Sequence, residues 1–187
     1  EKATGEIVDN CNKRPQRLFN EQELSIAACK DYLNRAIELL QERNHDVKII
    51  FTVSPIRYAK YGYHESQLSK AALLLSVHDV IDEHIDENVA YFPAYEIVND
   101  ELRDYRFYKA DMLHPNEQAV AYIWEQLVAT CFSATAKQFL KEWRPIKEAL
   151  AHRPFHPEAA SYQDFLKKTK EAARLLKQKY PNLELKE

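Results

Sequence analysis

Apolar residues return at two different spacings in the first third of the chain. Between about residues 21 and 44 they recur at helical spacing with charged residues between them, which predicts an amphipathic helix. The apolar positions of this helix are Leu24, Ala27, Ala28, Leu33, Ile37 and Leu40. The run VKIIFTVSP follows, and it has almost no polar alternation before Pro55. Such a run predicts a strand that is buried on both faces, as in a parallel sheet.

The same alternation continues through the middle of the chain. A second helix is predicted from about residue 65 to residue 84, and a second strand from about Val89 to Pro93. The apolar side of the helix comprises Leu68, Ala72, Leu75 and Val80. Helix, strand, helix, strand, loop and helix in this order predict an α/β layered domain with right-handed crossovers.

The last third of the chain lacks a clear strand signal and is predicted to be helical. AKQFLKEWRPIKEAL predicts a helix broken at Pro145, and HRPFHPEA predicts a stiff turn. A long amphipathic helix is then predicted, ended by Pro181. We therefore predict an α/β domain over residues 1–132 and a helical extension over residues 133–187.

Composition narrows the classes of function. Two glycines in 187 residues exclude glycine-rich phosphate-binding loops, and no apolar run approaches the 18 residues of a membrane span. Three widely spaced cysteines predict reduced thiols, which favours the cytoplasm without fixing the location. The net charge of -3 predicts no nucleic-acid partner, although residues 133–187 carry 12 Lys and Arg against 7 Asp and Glu. A helix with a solvated lysine face is the favoured explanation of that excess.

DMLHPNEQ places an acid and an imidazole three residues apart, directly before a predicted amphipathic helix. Asp111 would accept a hydrogen bond from one ring nitrogen of His114, leaving the other nitrogen free to take a proton. This is the acid and base half of a hydrolytic triad. Two alternatives stay open: Asp111 caps the helix, or Asp111 and His114 ligate a metal with His152 or His156. Because the metal-binding HExxH arrangement is absent, the metal site is the less favoured alternative, and we expect no metal and no cofactor.

Polar residues follow each predicted strand, at the edge of the sheet where α/β proteins bind ligands. Ser54 and Arg57 come after the first strand, the stretch 96–106 comes after the second, and Asp111 with His114 comes next. This convergence predicts a site at that edge. Ser54 lacks the flanking glycines of a strained nucleophile turn, so a structural hydroxyl is favoured over a nucleophile.

Five tyrosines also lie in these loops, and they have two interpretations. Their rings could stack on a sugar or a base, but covering the edge of a core is the favoured explanation for amphipathic rings. They are Tyr58, Tyr61, Tyr63, Tyr105 and Tyr108.

Five segments in order resemble the GSCFA domain, a bacterial family within the SGNH (GDSL-like) hydrolase superfamily. They are TGEIVDNCNKRP, FTVSPIR, ESQLSKAALLL, YFPAYEIVNDELRDYRFY and DMLHPNEQAVAYIWE. HRPFHP and KYPNL are similar to the helical extension that follows this domain. The Gly-Ser-Cys-Phe-Ala motif that names the family, and that would supply a nucleophilic serine, does not occur in these residues. We therefore expect the serine and a first strand to lie upstream.

The resemblance implies a flavodoxin-like three-layer sandwich with a parallel sheet, and it implies a function. Asp111 and His114 would be the triad acid and base, and Asn10 would belong to the oxyanion hole. Ser54 and Arg57 are expected to line the substrate site because they follow the first strand, at the ligand-binding edge of the sheet. Asn12 stands where the family commonly has histidine, and Ser66 stands where asparagine is usual.

Two hypotheses about function follow. The first is a serine ester hydrolase or acyltransferase that acts on a small-molecule or carbohydrate ester, with these 187 residues inactive alone. The second is a non-catalytic binding or assembly module on the same fold. Because an incomplete sheet exposes a strand edge, we expect the isolated chain to pair with itself or with an upstream segment.

Overall fold

The computed structural model describes residues 1–8, 12–85 and 88–184. The chain divides into two compact units, Glu1–Ile123 and Trp124–Glu187, which are described separately. The boundary predicted between residues 132 and 133 stays a prediction.

A two-stranded parallel sheet lies in the first unit. Strand β1, Ile49–Phe51, pairs with strand β2, Val89–Tyr91, so that Ile49 lies opposite Val89. The prediction of parallel pairing is confirmed. Each strand is shorter than the apolar run that predicted it, because only three residues of each run pair with the other strand.

One helix precedes β1 in the chain, and a second helix connects β1 to β2. Helix α1 is Ile26–Arg43, and helix α2 is Tyr63–Glu83. The start of α1 lies five residues later than predicted because Ser25 caps it: the Ser25 hydroxyl accepts a hydrogen bond from the Ala28 N–H at 3.2 Å. The core of the unit joins both helices to both strands through Ile37, Ile49, Val80 and Val89.

One face of the sheet differs from the prediction. Ile49 and Val89 are buried, whereas Ile50 is 46% exposed and Ala90, opposite Ile50, is also exposed. Successive side chains of a strand point to opposite faces. Since the core with α1 and α2 lies on the face of Ile49, the prediction of a strand buried on both faces is wrong for this structure.

The buried side of α2 also differs from the predicted apolar side. Leu68 and Leu75 are about half exposed. The buried residues are Ser66, Lys70, Ser76, Val77 and Val80. Ser76 can be buried because the Ala72 carbonyl, at 2.7 Å, accepts the proton of its hydroxyl, and the Ile26 carbonyl lies within hydrogen-bonding distance at 3.1 Å. The predicted apolar side is therefore right for Val80, which is fully buried, and wrong for Leu68 and Leu75. Hydrogen bonds satisfy the polar residues that face inward in their place.

After β2 the chain forms an irregular helical segment. The short helix α3, Ala94–Glu96, continues into a π-helical turn, Ile97–Leu102. Arg103 ends the turn in the left-handed region, with φ of 45°. A single 3₁₀ turn, Tyr105–Phe107, precedes the Asp111 segment, and helix α4 is Glu117–Cys131.

The second unit contains a pair of helices, α5 (Ala134–Ala151) and α6 (Ala160–Lys179). Helix α5 passes through Pro145 without a break, so the predicted break is wrong. Contacts join the two helices and their C-cap residues on both sides of the proline. Before it, Lys179 of α6 forms an ion pair of 2.6 Å with Glu142 of α5. After it, the ring of His152, which directly follows α5, lies 6.2 and 6.0 Å from the rings of Tyr162 and Phe165 of α6.

The architecture is therefore mixed α/β, with six helices and a small parallel sheet in the described residues. Cys29 and Cys131 are free thiols. Among the helices that the structure describes, none has the length and apolar character needed to cross a membrane.

Candidate active site

The Asp111 carboxylate accepts three hydrogen bonds within one turn. Its Oδ1 accepts from the backbone N–H groups of Leu113, at 2.9 Å, and of His114, at 3.0 Å. Its Oδ2 lies 2.6 Å from Nδ1 of His114. The two oxygens therefore have separate tasks, because one closes the turn and the other holds the imidazole.

Backbone hydrogen bonds close the turn further. Lys109 N–H donates to the His114 carbonyl at 2.8 Å, and Met112 N–H donates to the Lys109 carbonyl at 2.9 Å. Met112 lies in the left-handed region with φ of 60°, which is uncommon for a residue other than glycine. A backbone of this kind persists where surrounding bonds over-determine it, as they do here.

The hydrogen bonds stabilise the ionised form of Asp111. The backbone N–H of His114, the backbone N–H of Leu113 and the His114 side chain together lower the pKa of the Asp111 carboxyl to about 2. Asp111 is therefore an anion at any pH near neutrality. An anion beside Nδ1 favours the tautomer that carries the proton on Nδ1, and it favours the imidazolium that forms when Nε2 takes a proton.

The imidazole is accessible on its other side. The His114 side chain is 52% exposed, and its Nε2 makes no hydrogen bond to any residue that the structure describes. An oriented imidazole with a free Nε2 can act as a general base toward a hydroxyl brought to it from outside.

Asn116, and not Asp111, caps helix α4. The Asn116 side-chain oxygen accepts from the Ala119 N–H at 3.0 Å, and its side-chain N–H₂ donates to the Arg106 carbonyl at 2.6 Å. The alternative in which Asp111 caps the helix is therefore wrong. Asn116 also receives the first helical bond from Val120, so it ties the start of α4 to the turn.

Arg57 joins this turn from the loop after β1. Its backbone N–H donates to the Leu113 carbonyl at 3.0 Å, and its Nη1 donates to the Met112 carbonyl at 3.2 Å. The sequence placed Arg57 and the Asp111 segment at the same edge of the sheet, and in the structure the two are in contact. Three tyrosine rings surround the guanidinium at 4.4 to 5.7 Å from its central carbon: Tyr63, Tyr105 and Tyr108.

Ser54 has different neighbours. Its exposed hydroxyl accepts from the Ile56 N–H at 3.3 Å, and its carbonyl accepts from Nζ of Lys70 at 2.7 Å. Within the described part of the chain, none of its hydrogen bonds goes to Asp111 or His114. Asn10 lies outside the described residues.

Two polar residues of α2 hold the loop that carries Arg57. Sequence reasoning missed Lys70 and noted Ser66 only as a departure from the family. Lys70 is buried, which lowers the pKa of its ammonium, and it holds the end of β1 through the Ser54 carbonyl. The Ser66 hydroxyl accepts from the Tyr58 N–H at 3.1 Å. The sequence held one signal that could have found them. Ser66 and Lys70 are four residues apart, so they lie on the same face of the helix that follows the first strand.

The described residues contain no group of three or more His, Cys, Asp or Glu side chains arranged to hold a metal ion.

Comparison with known proteins places the chain in a family. Residues 1–127 match the model described as GSCFA family, and residues 143–187 match the one described as GSCFA domain protein, C-terminal domain. Searches of curated proteins and of solved structures found no significant match. Because the first match covers well over half of the chain, the protein belongs to the GSCFA family.

Proposed function

We propose that the chain is part of an SGNH-like serine ester hydrolase or acyltransferase, whose substrate is a small-molecule or carbohydrate ester. The observation that carries the proposal is the contact of 2.6 Å between the Asp111 carboxylate and Nδ1 of an exposed His114. The nucleophile of the proposed enzyme is a serine outside these 187 residues, because the Gly-Ser-Cys-Phe-Ala motif is absent from them.

The proposed mechanism divides the work among the named residues. The serine attacks the ester carbonyl while Nε2 of His114 takes its proton, and Asp111 stabilises the imidazolium that results. His114 then passes the proton to the departing alcohol, and water or a second alcohol releases the acyl group from the serine. Asn10 belongs to the oxyanion hole, whereas Ser54 and Arg57 line the substrate site.

A second His–Asp pair in the chain shows what distinguishes the proposed one. On the exposed surface of α2, Nε2 of His78 lies 3.5 Å from a carboxylate oxygen of Asp82, with both side chains more than 60% exposed. His114 has a contact of 2.6 Å, and its acid is also held by two backbone N–H groups. Orientation of the base by a fixed acid is the property that general-base catalysis requires.

We also propose that the two-stranded sheet is part of a larger flavodoxin-like three-layer sandwich. Two features support this: the strands are parallel, and Ile50 and Ala90 leave one face of the sheet uncovered within the described residues. Parallel sheets occur almost always with both faces covered. An upstream strand and helices on the open face would complete the three layers.

The direct test uses the longer protein that contains the serine motif. Hydrolysis of short-chain aryl esters is measured for the wild type and for His114→Ala. We expect kcat to fall by about six orders of magnitude in the variant, because the serine loses its base. Undiminished turnover would remove His114 from the mechanism.

His78→Ala is the matched control, since it removes an exposed histidine that is also paired with an aspartate. We expect this variant to keep wild-type kcat. An equal loss in both variants would mean that the assay reports general damage rather than catalysis by His114.

The same experiment addresses the non-catalytic binding module. A separated or buried Asp111 and His114 would have favoured that alternative, whereas the pair is in contact and exposed. Absence of esterase activity in the longer protein toward any acyl chain tested would favour the binding module.

A further inference from the structure

A polar depression of about 250 Å³ lies beside the turn of Asp111 and His114. It is formed by the loop after β1, the start of α2, the π-helical turn and residues 103–108, all in the first unit. Its polar and aromatic lining comprises Arg57, Gln67, Asn99, Arg103, Asp104, Tyr105 and Tyr108, with buried Val98 among them. Arg57 belongs to both places, because its guanidinium lines the depression and donates to the Met112 carbonyl.

The depression is lined by two cationic side chains, Arg57 and Arg103, and by one anionic side chain, Asp104. Within the described part of the chain, neither Arg57 nor Arg103 forms an ion pair. The acid at the rim, Asp104, is already engaged: one of its oxygens accepts from the Arg106 backbone N–H at 2.8 Å, and the other lies 4.0 Å from Nε of Arg106. Two guanidinium groups without carboxylate partners suit a ligand that brings its own negative charge.

The position of Arg57 is held firmly. Its central carbon lies 4.4 Å from the centre of the Tyr63 ring, and Tyr105 and Tyr108 lie within 6 Å. Burial raises the pKa of the Tyr108 hydroxyl, and the nearby charge of Arg57 opposes this rise. The guanidinium is therefore fixed in orientation before any ligand arrives.

Arg103 and Asn99 stand on unusual backbone. Asn99 lies within the π-helical turn, and Arg103 ends that turn with a φ of 45°. π-helical turns and left-handed residues other than glycine are often found at functional sites, where strain places a side chain that a regular helix would point elsewhere. In this case the irregular turn brings Asn99 and Arg103 to the same depression as Arg57.

The two amides of the depression complement hydroxyl groups. Gln67 uses its side-chain oxygen to accept from the Tyr95 hydroxyl, and Asn99 uses its side-chain nitrogen to donate to the Tyr95 carbonyl. The Gln67 nitrogen and the Asn99 oxygen make no hydrogen bond to a described residue. One free donor and one free acceptor beside the exposed ring of Tyr105 and the partly buried ring of Tyr108 match a hydroxylated ring such as a sugar.

We propose that this depression binds the anionic group of a sugar, so that the ester substrate is an acidic carbohydrate bearing a carboxylate or a phosphate. Arg57 and Arg103 hold the anion, Gln67 and Asn99 bind ring hydroxyls, and Tyr105 and Tyr108 contact the ring. The inference rests on the proposed function in one respect: it assumes that the bound sugar is part of the ester. Binding itself requires no hydrolysis.

The test measures binding to the 187-residue chain by NMR titration at low ionic strength, with three probes: glucuronate, glucose 6-phosphate and glucose. We expect at least one anionic sugar to bind about tenfold more tightly than glucose, the effect of one added charge-assisted hydrogen bond. Tighter binding of glucuronate identifies a carboxylate ligand, and tighter binding of glucose 6-phosphate identifies a phosphate ester. Equal affinity for all three probes, or binding of none of them, would overturn the proposal.

Arg103→Gln should remove the preference for the anionic sugar and leave the affinity for glucose unchanged. Arg106→Gln is the matched control, because Arg106 lies in the same segment but contacts Asp104 and the Phe107 ring. Equal affinities of the two variants for the anionic sugar would contradict the assignment of Arg103 as a ligand of the anion.

A second measurement needs no variant: the preference of the wild type should weaken as salt is raised, because salt screens exposed charges. A preference independent of salt would overturn the role of the arginines. Loss of esterase activity in the longer protein would leave these binding results unchanged, so the two proposals can fail separately.

Discussion

Asp111→Asn is the substitution that best separates the two tasks of the Asp111 carboxylate. Asparagine keeps a side-chain oxygen that can accept from the N–H groups of Leu113 and His114, which are 2.9 and 3.0 Å from Oδ1. It replaces Oδ2, 2.6 Å from Nδ1 of His114, with an N–H₂ group that donates. The turn therefore survives, while the partner of the imidazole changes from an acceptor to a donor.

The expected magnitude follows from the tautomer. Opposite an N–H₂ group, Nδ1 of His114 must accept, so the ring proton moves to Nε2. A protonated Nε2 cannot take the proton of the serine. We expect kcat of the longer protein to fall by about 10⁴-fold, as in other triads in which the acid becomes an amide, with little change in KM.

Two assays check this expectation. Ester hydrolysis by the longer protein gives kcat and KM, and long-range ¹H–¹⁵N NMR of the 187-residue chain reports which ring nitrogen of His114 carries the proton. We expect the proton on Nδ1 in the wild type and on Nε2 in the variant. Asp82→Asn, beside His78, is the control and should change neither reading for His114. A kcat within about tenfold of wild type, or a proton on Nε2 in the wild type, would refute the reasoning.

Three other predictions concern stability, pH and association. Ile37→Ala should lower the free energy of unfolding by about 2–5 kcal/mol, because Ile37 is fully buried. Leu40→Ala on the same helix should lower it by at most about half as much, because Leu40 is 48% exposed. Thermal denaturation compares the two, and equal losses would contradict the assigned core. The pKa of Asp111 is lowered to about 2, so its carboxyl NMR signal should show no titration between pH 5 and pH 3. The contribution of Asp111 to the free energy of unfolding should be lost only as the pH falls from about 4 toward 2. A midpoint near 4 would exclude the hydrogen bonds described for it. The isolated chain should self-associate through its open strand edges in light scattering, which a monodisperse monomer would contradict.

The sequence predicted the parts of the site that depend on local order. Asp111 and His114 are three residues apart, so one tight turn is enough to bring the carboxylate to the imidazole. Arg57 was also predicted at this site, because it follows β1 and the carboxyl ends of parallel strands lie at one edge of the sheet. In the structure Arg57 donates to the carbonyls of Leu113 and Met112. The triad roles of these residues and the contributions of Asn10 and Ser54 remain predictions.

Long-range contacts set the features that sequence patterns predicted wrongly. Leu68 and Leu75 match a helical repeat, yet the buried side of α2 carries Lys70 and Ser76, because the carbonyls of Ser54 and Ala72 accept their hydrogen bonds. A hydrophobic pattern does not record where hydrogen-bond acceptors will lie after folding. Pro145 likewise stays within α5, and contacts join the two helices and their C-cap residues on both sides of it.

By itself, the sequence determined the helices and strands in outline, their parallel order, and the acid and base of one turn. These depend on periodicity and on residues a few positions apart, which the chain encodes directly. Only the tertiary structure decided which faces are buried and that Asn116, not Asp111, caps α4. It also decided that three tyrosines surround Arg57, beside a depression whose Arg103 has no ion-pair partner among the described residues. The positions of those partners are set by the packing of separate segments, because residues far apart in the chain become neighbours only when the core around Ile37 and Val80 forms.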